Sequence, residues 1–335
     1  MSTAIVSSVS AAPSTSSPRK MSRKDKLAQQ DWKNRQRNAR RAEKEAQRLK
    51  LTGKQRLMSW LLHIVMAFMV IYCLVPLLWL AFSSTKTNGG LYTSPGLWFA
   101  DQNVFFQNVH DTFTFKGGVY PRWLINTIMY AVVAGLGSTL IATFAGYAVA
   151  TMRFPGRNWL LWVTLAFMSI PSTVITVPLF LMYSQAGLVS TPWAVILPQL
   201  SNPFGLYLMI IYAQTSIPTS LIEAAKLDGA NHWTIFWKIG FPLLSPGFVT
   251  VLLFALVGVW NNYFLPLIML QDTKDYPLTV GLNVWLKMGN DTSVKELPNN
   301  LILTGSLIAI VPLIICFLFL QKYWQSGLAA GSVKQ

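Results

Sequence analysis

The chain contains five long stretches without a single Asp, Glu, Lys or Arg, and they limit its fold more than any other feature. They cover residues 57–85, 123–152, 158–222, 239–271 and 297–321. A helix rises about 1.5 Å per residue, so about 20 apolar residues cross the ~30 Å hydrocarbon core of a bilayer. A charged side chain at the centre of such a helix costs ~2.5–3.5 kcal/mol. The pattern therefore predicts a protein whose helices cross a membrane.

The stretch 158–222 is too long for one crossing and contains a polar segment at 184–192. Dividing it there gives an all-α membrane protein with six transmembrane helices, predicted at about 58–82, 123–152, 159–183, 193–213, 247–270 and 301–324. Charged residues make up 12% of the chain, against about 25% in soluble domains. Cys73 and Cys316 lie in apolar runs, which excludes a disulfide framework.

The placement of basic residues predicts the orientation. Of the 27 Lys and Arg residues, 15 lie within 1–56. The short segments after the second and fourth predicted helices carry Arg153, Arg157, Lys226 and Lys238. Because cytoplasmic segments are enriched in Lys and Arg, we expect both termini in the cytoplasm.

Two domains follow from this pattern: a basic cytoplasmic tail, 1–56, and a transmembrane domain, 57–335. We expect the tail to be largely disordered, because residues 1–18 are mostly Ser, Thr, Ala and Pro, with a polar helix possible within 21–50. Basic residues beside a membrane attract anionic lipid with about 1 kcal/mol each, but a solvated tail that fixes the orientation is the preferred interpretation. Nucleic acid is disfavoured as a partner because Trp32 is the only aromatic residue of the tail.

Polar and aromatic side chains inside the predicted helices are candidates for a substrate path. Amides can bond to the hydroxyl groups of a sugar and aromatic rings can stack on its C–H faces, although bonding between helices explains the same residues. No ionisable residue other than His63 lies centrally in a predicted helix, which disfavours a proton-coupled carrier. The candidates are Asn126, Tyr130, Trp260, Asn261, Asn262 and Tyr263.

Two further patterns concern the shape and packing of these helices. Small residues recur at every fourth position of the second helix, which favours close contact with a neighbouring helix of the same subunit. Prolines inside predicted helices can kink them. The small residues are Ala134, Ser138, Ala142, Gly146 and Ala150, and the prolines are Pro76, Pro171, Pro178, Pro198, Pro203, Pro266 and Pro312.

The segment between the fourth and fifth predicted helices, residues 214–246, is here called the EAA loop. Ser220 and Glu223 have the spacing of a capping box, and Gly229 can end a short helix in the left-handed conformation. Asn231 can cap a second short helix that ends by Pro242. The pattern predicts two short helices on the inner face, able to dock on a partner or to serve as a plain interfacial connector.

The same segment carries a family resemblance. Glu223-Ala224-Ala225 is followed after three residues by Gly229, and after nine more by Ile239-x-Phe241-Pro242. This resembles the EAA motif, EAA-x3-G-x9-I-x-LP, of ABC importer permeases, with Phe241 in place of the usual Leu. Segments 153–156, 260–266, 276–282 and 327–334 resemble the carbohydrate subfamily of the six-span maltose type, although Asn262 replaces a frequent Glu.

The resemblance implies a permease subunit of a binding-protein-dependent ABC importer for a sugar or oligosaccharide, in the cytoplasmic membrane of a bacterium or archaeon. The implied partners are a second permease subunit, two ABC ATPase subunits, an extracytoplasmic solute-binding protein, sugar and membrane lipid. The chain has no phosphate-binding loop G-x-x-x-x-G-K-[ST], so we expect no enzyme activity and no cofactor on it, with ATP and Mg on the ATPases. The residues implied in coupling to the ATPase are Glu223, Ala224, Ala225, Asp228, Gly229 and Pro242.

Other functions remain open from the sequence alone. A permease for a non-sugar solute such as peptide or phosphate would share the EAA loop, and a secondary carrier would need no ATPase. A membrane enzyme is disfavoured because His63, His110 and His232 lie far apart in the sequence and near no carboxylate pair at metal spacing.

Overall fold

The computed structural model describes residues 30–40, 53–290 and 298–332, and all regular secondary structure within these ranges is helical. The chain divides into two units, Met1–Leu74 and Val75–Gln335. The all-α prediction is therefore confirmed for the described residues. Most of the predicted disordered tail, 1–29 and 41–52, lies outside them.

The first unit contains helix α1, residues 30–40, and the start of helix α2, Gly53–Ser84. Helix α1 lies within the segment where the sequence allows a polar helix. In α2, every side chain from 57 to 74 except Ser59 is exposed. The most apolar 18-residue stretch within Leu57–Ser84 has a mean hydropathy of 2.5. An exposed apolar helix of this length suits a lipid environment.

The second unit is arranged around α4, Phe105–Thr151, which packs against four later helices, α7 (Pro192–Leu200), α8 (Pro203–Ser216), α11 (Phe241–Trp260) and α14 (Asn299–Ser332). The helix is interrupted at Phe115–Gly118, where Lys116, Gly117 and Gly118 have positive φ. The remaining helices are α3 Gly90–Thr93, α5 Arg157–Met168, α6 Ser172–Gln185, α9 Thr219–Leu227, α10 His232–Ile235, α12 Phe264–Met269 and α13 Leu278–Asn290, with a π-turn at Phe236–Gly240 and a 3₁₀ turn at Thr273–Asp275.

The stripe of small residues on α4 forms the contact predicted for it. Ala134, Ser138, Ala142 and Gly146 are buried. A Cβ atom on Gly146 would lie 2.8 Å from the backbone carbonyl carbon of Met209 in α8. The two helices can therefore approach this closely only because residue 146 has no side chain.

Among the described residues, five helical segments are long and apolar enough to cross a membrane, or six if a bent pair counts as one, which agrees with the six predicted. The bent pair is α5 and α6, which meet at 96° just before Ser172. The fourth predicted helix is broken into α7 and α8 at Ser201-Asn202. The fifth apolar segment covers His232–Trp260 and ends ten residues short of the predicted boundary at 270, since the chain turns at Asn261 into the separate α12.

Candidate functional site

Helix α9 carries the EAA sequence, and its start differs from the prediction. The helix begins at Thr219, directly after Pro218, and no side chain caps it. The predicted capping box of Ser220 and Glu223 is therefore wrong. Pro218 explains the early start, because its extended backbone precedes the helix and places Ser220 already inside the first turn.

The end of α9 follows the prediction more closely. Gly229 has φ of +78°, and the Asn231 side chain accepts a hydrogen bond of 2.8 Å from the backbone N–H of Thr234. The predicted end of the second short helix by Pro242 is wrong, because α10 continues through the π-turn directly into α11. The EAA loop thus contains one separate short helix, α9. The rest of the loop is helical and forms the first turns of the fifth apolar segment.

Helix α9 has one face toward the protein and one toward solvent. Ile222 and Ala225 are buried in a cluster with residues of α8, α10 and α11. Glu223, Ala224, Asp228, Gly229 and Pro242 are exposed. Leu227 is 89% exposed, and sequence analysis missed it because its apolar character fits a buried position equally well.

Aromatic rings attach the EAA loop to the long helix α4. Phe236 packs against Phe144 and Tyr147 at ring distances of 4.7 and 5.0 Å. A Cβ on Gly240 would lie 2.7 Å from the Tyr147 ring. A displacement of the EAA loop would therefore be transmitted to α4 through this contact.

The polar residues predicted for the substrate path separate into two groups. Asn126 donates to the backbone oxygens of Lys274 and Tyr276 at 2.8 and 3.1 Å, and the Tyr130 hydroxyl donates to that of Asp275 at 2.8 Å. These two residues hold the segment 274–276 in place. Trp260 is buried in an aromatic cluster with Tyr120, Trp123 and Trp285.

The segment 272–276 has its own ion pair. Lys274 Nζ lies 2.8 Å from the Asp272 carboxylate. Hydrogen bonds from Lys274 lower the pKa of Asp272, and the same pair raises the pKa of Lys274. Both groups are therefore charged at neutral pH.

The second group follows α11, and one of its members lies at a cavity of about 850 Å³, formed where the α5–α6 bend and the α7–α8 break meet α11 and α12. Asn262 lines it and donates to Gln199 Oε1 at 3.0 Å. Asn261 is exposed, and the Tyr263 hydroxyl donates to Asn283 Oδ1 at 2.9 Å. Of the six predicted path residues, Asn262 lines this cavity.

The cavity also contains polar residues that sequence analysis missed. Gln199, Ser201 and Asn202 come from the α7–α8 break, and Ser138 comes from α4. The available signal was a polar run, Gln199-Leu200-Ser201-Asn202, between Pro198 and Pro203 inside an apolar stretch. Such a run indicates non-helical backbone, which is tolerated at membrane depth where it lines a cavity.

Comparison with known proteins identifies the family to which this arrangement of helices belongs. Residues 138–329 match the family described as binding-protein-dependent transport system inner membrane component. The chain belongs to this family. It is thus a multi-pass protein of the cytoplasmic membrane and the permease subunit of an ABC importer, in which a partner chain hydrolyses ATP.

Three curated relatives align with this chain over most of their own length. The chain is 32% identical to the arabinooligosaccharides transport system permease protein AraQ of Halalkalibacterium halodurans, over 83% of this chain and 97% of that protein. It is 30% identical to the galactooligosaccharides transport system permease protein GanQ of Bacillus subtilis, over 81% and 94%. It is also 30% identical to the trehalose transport system permease protein SugB of Mycobacterium tuberculosis, over 84% and 99%.

A solved structure has the same fold. A chain from a bacterial ABC transporter involved in the import of the acidic polysaccharide alginate aligns with a TM-score of 0.70 and 23% identity. The alignment covers 82% of this chain and 98% of that chain. At this identity the likeness shows the fold alone.

Proposed function

We propose that this permease subunit conducts a neutral sugar or oligosaccharide through the cavity where the α5–α6 bend and the α7–α8 break meet α11 and α12. The observation that carries the proposal is the cavity lining, which combines amide and hydroxyl groups with apolar and aromatic surface. The lining that the structure describes holds no ionisable side chain. Such a lining suits a neutral, hydroxyl-rich solute better than an anion or an amino acid. The sugar transport systems of the relatives support the same class.

We further propose that α9 is the part of the chain that docks on an ABC ATPase in the cytoplasm. Its exposed residues Glu223, Ala224, Leu227 and Asp228 form the docking surface, while Ile222 and Ala225 fix the helix to the subunit. ATP and Mg are held by the two ATPase subunits. Closure of the ATPases would move α9, and the contact between Phe236 and Tyr147 would pass that movement to α4.

The remaining partners follow from the same scheme. A second permease subunit completes the translocation path, and a solute-binding protein docks outside on segments 83–122 and 271–300. The hydrogen bonds of Asn126 and Tyr130 would keep 274–276 in shape for that docking. Pro242 stands at the start of α11, where a movement of α9 enters the helix that borders the cavity.

The substrate class is tested by uptake into vesicles that contain the reconstituted complex and its binding protein. The panel comprises an arabinooligosaccharide, a galactooligosaccharide, trehalose, a dipeptide and inorganic phosphate. We expect uptake of at least one saccharide. We also expect Gln199→Leu to lower its transport about 2- to 10-fold, the loss for one hydrogen bond between uncharged partners. A matched substitution away from the cavity, Gln185→Leu at the exposed end of α6, should leave transport unchanged. Uptake of the dipeptide or phosphate alone would replace the sugar with another solute class, and uptake without any ATPase would indicate a secondary carrier.

A further inference from the structure

A second, smaller pocket lies far from the cavity in sequence, at the junction between α4 and α5. It measures about 350 Å³, and its lining includes Arg153, Arg157 and Trp159. Arg153 is exposed and Arg157 is half-buried. The proposed function uses none of these residues.

Both guanidinium groups are available to an anion. Within the residues that the structure describes, neither arginine forms an ion pair with a carboxylate. Among the described residues, the Arg157 side chain donates one weak hydrogen bond, of 3.4 Å from Nη1 to the backbone oxygen of Met152. The segment 153–158 contains no Asp or Glu. Guanidinium groups pair strongly and often bidentately with phosphate oxygens.

Two tryptophans next to the pocket indicate where it lies relative to the membrane. Trp159 and Trp162 are 70% and 69% exposed. Because they are three residues apart on α5, they share one face of the helix. Exposed tryptophans concentrate where lipid headgroups meet the hydrocarbon core. A phosphate carried on a lipid therefore fits the position better than a phosphate free in water.

We propose that Arg153 and Arg157 bind the headgroup phosphate of an anionic phospholipid, with Trp159 and Trp162 inserted at the headgroup level beside it. The site selects phosphatidylglycerol over phosphatidylcholine, because the choline cation repels two guanidinium groups. The proposed orientation places this lipid in the inner leaflet. The binding of the lipid does not depend on that orientation.

The test uses the full transporter complex, released from nanodiscs that contain equal amounts of palmitoyl-oleoyl phosphatidylglycerol and phosphatidylcholine. Native mass spectrometry counts the lipids retained on the complex. We expect selective retention of phosphatidylglycerol, weakened about 5-fold by Arg153→Gln or Arg157→Gln and about 30-fold by both. Lys238→Gln combined with Lys322→Gln removes the same charge elsewhere and should have little effect.

Several outcomes would overturn the proposal. Equal retention of both lipids by the unmodified complex would exclude a selective site, even if the arginine variants fail to fold. An equal loss of phosphatidylglycerol in the lysine control would mean that the net charge of the protein, and not a site at the two arginines, retains the lipid. Displacement of phosphatidylglycerol by inorganic phosphate at equal concentration would identify a small-anion site. If the arginine variants lose the ATPase subunits but retain as much phosphatidylglycerol as the unmodified complex, the two arginines form a protein interface instead of a lipid site.

Discussion

At the scale of single residues, Gly146 controls the contact between α4 and α8. We expect Gly146→Ala to lower the free energy of unfolding by about 1–3 kcal/mol, because the added methyl group meets the Met209 backbone and the helices must separate. Denaturant or thermal unfolding of the purified subunit in detergent measures this change.

Gly258 is the matched control for this substitution. It lies inside α11, and a Cβ atom there would meet nothing within 4 Å. Alanine is favoured over glycine in a helix by about 1 kcal/mol, so Gly258→Ala should maintain or raise stability. Equal destabilisation by both substitutions would mean that the α4–α8 contact is looser than the geometry indicates.

The type of a residue in the sequence predicts that its side chain can form hydrogen bonds, but it does not predict the partner of each bond. Asn126 and Asn262 are both amides within apolar segments, yet one holds the backbone at 274–276 and the other lines the cavity. Their roles differ because their partners come from distant parts of the chain, which no local pattern specifies. Whether either contacts substrate stays a prediction.

At the scale of elements, Gly229 sets the exit of the chain from α9. We expect Gly229→Asp to reduce uptake at least about tenfold, because it strains a left-handed residue and adds a charge on the docking surface. A Cβ atom at this position would meet no atoms within 4 Å, so membrane insertion should be retained. Uptake assays and the amount of chain in the membrane fraction measure the two effects.

The uncharged variant Gly229→Asn separates strain from charge. Asparagine tolerates the left-handed conformation about as well as aspartate, so its backbone strain is matched. We expect Gly229→Asn to transport more than Gly229→Asp. Unimpaired uptake with the aspartate variant would refute the docking role of α9.

The two faces of α9 predict opposite effects for apolar truncations. Leu227→Ala removes an exposed side chain, so it should weaken co-purification of the ATPase while stability changes by less than about 0.5 kcal/mol. Ile222→Ala empties a buried position and should cost about 2–5 kcal/mol. For each variant, thermal unfolding measures the stability, and the amount of ATPase recovered with the subunit measures the docking. Retained ATPase in the Leu227 variant would place the contact elsewhere on the helix.

Element boundaries were predictable where one residue decides them and not where packing decides. Gly229 and Asn231 end α9 and cap α10 by local chemistry, as the sequence indicates. The continuation of α10 into α11 depends instead on the π-turn, where Gly240 makes room for the Tyr147 ring. That ring comes from a helix more than 80 residues earlier, so the local pattern could not reveal it.

At the scale of the whole molecule, absence of charge identified the crossing segments but not their bends. Pro171 precedes a bend of 96°. Pro76, Pro178 and Pro312 lie inside helices that continue past them. A proline permits a bend, and the surrounding helices determine whether one forms. The apolar helical segments of the described residues, five or six in number, were therefore predictable, whereas the cavity created by the bends was not.

The orientation of the whole chain gives the final prediction. Because Lys and Arg are enriched on the cytoplasmic side, Glu223 should lie inside the cell and Asp101 outside. Both residues are exposed, so single cysteines there are reachable once Cys73 and Cys316 are replaced by serine. A membrane-impermeant maleimide should label Asp101→Cys in intact cells. It should label Glu223→Cys only after the cells are permeabilised. A third site, Lys322→Cys, should behave in the same way as Glu223→Cys. Labelling of Glu223→Cys from outside would reverse the orientation and remove α9 from the reach of a cytoplasmic ATPase.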